Sequence, residues 1–162
     1  MRDFIRDRRG IEGLPMRLII IVVVAAVVLA AILAMMPKTT PSSLKVKFET
    51  ITPISNNVKQ SSGGVVLVKS NGYEEIDGIE FNATIKITDD KGKPISGATV
   101  ILSGAGGTGV AQTNGNGIAY VKVQSAKLEE NQESAYMKVT VKASGYPDYI
   151  DNDGLLLQRV TS

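Results

Sequence analysis

The sequence predicts a single apolar α-helix at the N-terminus followed by an all-β sandwich of about seven strands. Three observations carry this expectation. From Leu18 to Met36 run 19 residues without a charge or a hydroxyl. From Leu44 onward apolar and polar residues alternate with a period of two, the pattern of strands with one buried and one wet face. Gly- and Asn-rich turns separate these stretches at roughly 8 to 12 residue intervals, the spacing of a sandwich.

The helix comes first. Four Ile, three Leu, five Val, five Ala and two Met fill Leu18–Met36, and as a helix this stretch is about 28 Å long, close to the hydrocarbon thickness of a bilayer. Its branched aliphatics contribute about −4 to −7 kcal/mol towards insertion, with no charge to offset them. Arg2, Arg6, Arg8, Arg9 and Arg17 precede the run, whereas only Lys38 closely follows it. That bias places the N-terminus in the cytoplasm and everything after Pro37 outside. An uncleaved signal anchor fits these facts, and so does a secretory signal peptide cut near Ala30, Ala31 or Ala34.

The residues before the helix favour a third reading. Arg8-Arg9-Gly10, then Ile11-Glu12-Gly13 and the apolar run, resembles the class III signal of archaeal type IV pilin-like and archaellin-like proteins. The resemblance implies that a prepilin-type signal peptidase cuts between Gly10 and Ile11, making residues 1–10 a leader, and that the helix, residues 11–36, stays on the mature chain. Arg8, Arg9, Gly10, Ile11 and Gly13 are then the processing residues. The bacterial pattern places Glu at the fifth mature position, where this chain has Pro15, so the bacterial group is disfavoured. Proline suits a first-turn position, and the helix is expected to begin near Pro15.

Removing the leader takes away four Arg and two Asp, so 18 basic and 16 acidic residues become 14 of each. The mature chain is formally neutral. Ala26, Ala30 and Ala34 stand four apart, a small-residue ridge that lets helix backbones approach closely.

Residues 37–43 hold two prolines and four hydroxyl residues, a semi-stiff stalk. The β-domain occupies residues 44–162. Leu44, Val46 and Phe48 share one strand face; Ile79, Phe81, Ala83, Ile85 and Ile87 share another; Met137, Val139, Val141 and Ala143 form a third. Asp90-Lys91-Gly92 is a tight turn, Pro94 starts a strand, and Asn114-Gly115-Asn116-Gly117 reverses the chain. Asp89–Leu102, Thr113–Val121 and Val139–Tyr146 together resemble carboxypeptidase regulatory-like and bacterial Ig-like surface modules over residues 79 to 160. The resemblance implies a transthyretin-like or Ig-like sandwich with an adhesive or spacer role and no catalytic residues.

Composition narrows the chemistry. The 162 residues include no Cys and no His, so disulfides, thiolate chemistry, the usual zinc sites and a serine–histidine triad are absent. No enzyme activity and no cofactor are expected. A net charge of +2 gives no reason to propose nucleic acid.

Five local patterns invite sharper readings. Gly104-Ala-Gly-Gly-Thr-Gly109 satisfies G-x-G-x-x-G, yet a short strand follows it rather than the helix a phosphate site requires, so a flexible hairpin tip is expected. Asp151-Asn-Asp-Gly154 reads as an Asx turn more readily than as a calcium loop, which needs further oxygen ligands. Glu74-Glu75 and Glu129-Glu130 read as solvated acids. Asn82-Ala-Thr84 is the only N-glycosylation sequon and faces solvent on its strand. The five tyrosines read as packing at sheet edges and at the Gly145-Tyr146-Pro147 corner.

The expected function is a structural subunit. Its helix begins in the membrane and passes, through pilus assembly machinery, into a bundle of identical helices, with the β-domain displayed outside the cell. The alternative is a monomeric membrane-anchored binding module that does not polymerise, and a minor filament component is a third possibility.

Overall fold

The computed structural model describes residues 8–35 and 42–161, with helix side chains described from Pro15 onward. Two compact units divide between residues 40 and 41.

The first unit contains α1, Arg8–Met35, 28 residues long. The helix continues upstream of Pro15 instead of starting there. A proline at this depth leaves the carbonyl of residue 11 without its donor and crowds it, at a cost of about 3 kcal/mol. Leu14 and Glu12 are good helix formers and carry the helix through. From Pro15 to Met35 every residue is exposed.

The second unit is all β. Its strands are β1 (Leu44–Pro53), β2 (Val58–Lys59), β3 (Ser61–Ser62), β4 (Val65–Ser70), β5 (Ile76–Asp89), β6 (Thr99–Gly104), β7 (Gly107–Gln112), β8 (Ile118–Leu128), β9 (Ser134–Lys142) and β10 (Tyr149–Thr161). They form one ten-stranded sheet in the order β2-β4-β10-β9-β6-β7-β8-β5-β1-β3. The expected seven-stranded sandwich is corrected on this point. The ladder β8-β5-β1-β3 and the ladder β2-β4-β10-β9-β6-β7 are joined where β7 meets β8, Thr108 opposite Gln124, so the sheet is continuous there. At the other extreme, β2 and β3 are the two end strands and only Gln60 lies between them along the chain. The sheet is thus a nearly closed barrel whose last seam is spanned by covalent chain.

The alternation predicted for β5 holds at every position: Ile79, Phe81, Ala83, Ile85 and Ile87 are all fully buried. The phase changes elsewhere, and each change has a local cause. In β1 the inward residues are Leu44, Val46 and Phe48, then Ile51, because Glu49 bulges out between Phe48, opposite Ile85, and Thr50, opposite Thr84. In β8, Val121 and Val123 are buried and the next inward residues are Ala126 and Leu128. Ser125, with φ of 60°, supplies the extra residue. Such bulges add twist and coil long strands, which lets one sheet wrap a core.

Pro94 does not begin a strand. It forms a single bridge with Thr88, and β6 starts at Thr99. Between them Thr113 holds the loop from inside the core: its hydroxyl donates to the Ile95 carbonyl at 2.6 Å and accepts from the Ala98 amide at 2.9 Å. The Asn114–Gly117 turn is as expected, with the Asn114 side-chain oxygen accepting from the amides of Asn116 and Ile118. Gly117 sits at φ +74°, and a Cβ there would lie 2.6 Å from the Ile87 carbonyl; only glycine fits.

Candidate functional site

Two regions of the chain carry features beyond packing. The first is α1. Between Met16 and Met35 every large apolar side chain is at least half exposed, and the 21 residues Pro15–Met35 form the one helix among the described residues long and apolar enough to cross a membrane. Apolar surface is present on all sides, as in a helix surrounded by lipid or by other apolar helices. Ala26, Ala30 and Ala34 lie on this exposed stretch, and their spacing of four leaves a low ridge where another backbone can approach. Arg8, Arg9, Gly10, Ile11 and Gly13 occupy the first turns of α1, with side chains outside the described residues; residues 1–7 of the expected leader are outside them altogether.

The second region is the end of the β-domain where β5 starts and β8 ends. Arg159, on β10, organises it. Its guanidinium donates to the carbonyls of Gln132 (3.0 Å), Gly72 (2.8 Å), Glu74 (2.8 Å) and Glu129 (3.2 Å) and to the Ser70 hydroxyl (3.0 Å). Five neutral oxygens thus hold one cation, and the segments 70–74 and 129–132 are tied together through it. The Asn131 amide adds a bond to the Tyr73 carbonyl at 2.7 Å. A shallow groove of about 290 Å³ beside Arg159 is lined by Gly72, Tyr73, Glu133 and Gln158.

The acids read as solvated are indeed exposed, but they are not isolated. Glu75 has its carboxyl held above the usual carboxylate range, first by the charge of Asp77, with Glu129 adding to the effect and Lys127 opposing it. Lys127 is ion-paired to Glu129 at 2.6 Å, which raises its own affinity for the proton. Among the described residues no group of three or more acids has the arrangement needed to hold a metal ion.

The other patterns resolve into structure. Gly104 and Gly107 close the β6–β7 hairpin, with Ala105 and Gly106 both at positive φ, a two-residue turn suited to tight hairpins. The glycines beyond it serve close approach: a Cβ on Gly109 would lie 2.5 Å from the Lys122 carbonyl, and one on Gly107 2.8 Å from Ala126. The expected short strand, β7, is present but begins at Gly107 and includes Gly109, so only Gly104–Gly107 form the hairpin tip. Asp151–Gly154 lies inside β10 as a bulge, with the Asp153 amide donating to the Asp151 carboxylate at 3.0 Å. Tyr149, packed against the core beside Asp151, has its phenol proton held more tightly than usual, by burial first and then by the Asp151 charge.

Asn82 faces outward on a central strand between Thr52 and Lys122 and is half-buried. Tyr146 and Tyr149 pack on the core, whereas Tyr73, Tyr120 and Tyr136 are more than half exposed, so the packing role applies to two of the five. Neither Arg159 nor the gathering of segments 70–77 and 127–133 has a sequence signal, because their residues are far apart along the chain. No family model, no curated protein and no solved structure matches the chain.

Proposed function

We propose that the chain is a structural subunit of an extracellular type IV pilus-like filament, with α1 in the filament core and the β-domain displayed outside. The observation that carries this reading is the apolar surface exposed all round α1, preceded by Arg8-Arg9-Gly10. A helix of this kind is satisfied by lipid before assembly and by copies of itself afterwards. The Lys/Arg bias supports a cytoplasmic N-terminus and an external β-domain. Contacts between identical copies that do not close into a ring generate a filament. The β-domain is read as a relative of the Ig-like and transthyretin-like surface modules, supported by the turns at Asp90–Gly92 and Asn114–Gly117. Glycosylation at Asn82 would leave the core undisturbed.

Mass spectrometry of the mature chain tests the reading. A mature N-terminus at Ile11 is expected, with Gly10→Val abolishing the cut. A chain that keeps residue 1, or begins near Pro37, removes the pilin-like reading. Imaging material sheared from cells separates this reading from a monomeric anchored module, which would remain in the membrane without fibres.

A further inference from the structure

We propose that neighbouring copies of the β-domain dock head to tail, the lysine-rich end of one against the glutamate-rich end of the next. This deepens the filament reading and rests on it for bringing copies together.

The two ends are defined by β5, whose 14 residues separate them by about 40 Å. At its start stand Glu74, Glu75 and Asp77, and β8 with the loop after it brings Glu129, Glu130 and Glu133 to the same end, stitched there by Arg159. Three cations stand here against these six acids: Lys127, Arg159 and Lys69, the last beside Val160 in the β4–β10 register. Lys127 is paired with Glu129, and the Arg159 bonds end on neutral oxygens. Glu74, Glu130 and Glu133 make no ion pair among the described residues.

At the far end of β5 the sign reverses. Lys45 and Lys47 on β1 stand opposite Thr88 and Lys86, and Lys91 and Lys93 occupy the turn after β5. Asp89 here is buried and accepts the amides of Lys91 and Lys93, while Asp90 accepts the Ser42 hydroxyl. Among the described residues at this end, Lys142 alone forms an ion pair, with Asp148 at 4.0 Å.

Each end therefore carries an excess of one sign that its own ion pairs among the described residues, Lys127–Glu129 and Lys142–Asp148, leave unbalanced. Lys47 directly across from Lys86 is a destabilising cross-strand pair, and Glu75 beside Asp77 is its acidic counterpart. The opposite end of the same domain is too far away to relieve either. The opposite end of another copy is complementary to both. A contact between two different surfaces is heterologous and repeats without closing. Charges of this kind set register and orientation more than affinity and weaken with salt, which suits a contact made between copies already gathered by their helices.

Carbodiimide cross-linking of intact cells, which joins a lysine to a carboxylate without a spacer, tests the contact. Lys127–Glu129 should cross-link within every chain and serves as the internal control. Links from Lys45, Lys47, Lys91 or Lys93 to Glu74, Glu75, Glu129 or Glu130 are expected in addition, and a separation of about 40 Å makes them intermolecular. They should be lost in Lys45→Glu/Lys47→Glu and return, between the exchanged residues, when Glu74→Lys/Glu130→Lys is added in the same chain, a pair that leaves the Lys127–Glu129 control intact. That return also shows the reversed chain folds. Fibres that form normally without these links, or links indifferent to reversal at one end, overturn the proposal and leave the filament reading standing. Links that obey the reversals in membranes without fibres uphold it and remove the filament reading.

Discussion

The Arg159 guanidinium donates to the Glu74 carbonyl at 2.8 Å, joining residues 85 positions apart in the chain. The carboxylate of Glu74 takes no part in this bond. Arginine's planar fork reaches several carbonyls at fixed angles, which lysine cannot reproduce. Arg159→Lys should therefore destabilise the β-domain by about 2 to 3 kcal/mol, the scale of losing charge-assisted hydrogen bonds. Chemical denaturation measures it, and hydrogen exchange at the Asn131 amide should quicken with it. Unchanged exchange there would mean the loop is held by something else.

Thr113 is a second point of dependence. Its hydroxyl is the partner of both the Ala98 amide and, as donor, the Ile95 carbonyl. Thr113→Val keeps the shape and leaves buried backbone groups unpaired, at about 2 kcal/mol. Thr113→Ser, which retains the hydroxyl, should cost less. Equal losses in the two variants would show that packing, not the bond, matters.

The pH dependence at the alkaline limit follows from Tyr149. Its phenol ionises above the ordinary value of 10.0 in the folded chain because burial and Asp151 disfavour the anion. The folded state thus holds the proton more tightly than the unfolded one. The stability this supplies is complete below the ordinary value and is lost as pH rises through the raised one. Tyr149→Phe cannot ionise and should flatten that part of the decline. Denaturation midpoints of the two proteins, compared from neutral pH to beyond 10.0, check this.

Ala30 tests the helix. It lies midway along the Ala26–Ala34 ridge on the exposed stretch of α1. Ala30→Leu leaves the segment apolar enough to insert and removes the low point where backbones approach. Membrane levels should be unchanged while fibres on the cell surface become fewer or disappear. Undiminished fibre formation would rule out the ridge as a packing face.

How much could be read in advance depended on range. The face of β5 was legible because burial of alternate residues is a local property, so Ile79 through Ile87 declared their side without knowledge of any partner. Val65–Ser70 and Tyr149–Thr161 are strands that carry no two-residue period in the sequence. The first is a continuous apolar run without alternation, and the second contains the Asp151–Gly154 bulge that interrupts the period. β2 and β3, two residues each, are too short to show any period. The glycines at 107 and 109 announced a hairpin tip, yet their reason is the β8 backbone pressed against them, a neighbour that only pairing reveals.

By itself the sequence determined that an apolar helix precedes a β-domain, which strand faces are buried, and where Asn114 turns the chain. These follow from the length of an uncharged run, a two-residue period and the short reach of a side chain to its own backbone. Only the tertiary structure decided that ten strands make one nearly closed sheet, that Arg159 binds two distant loops, and that the charges divide between the ends of β5. Strand pairing sets all three, and pairing joins residues whose separation along the chain no local pattern records.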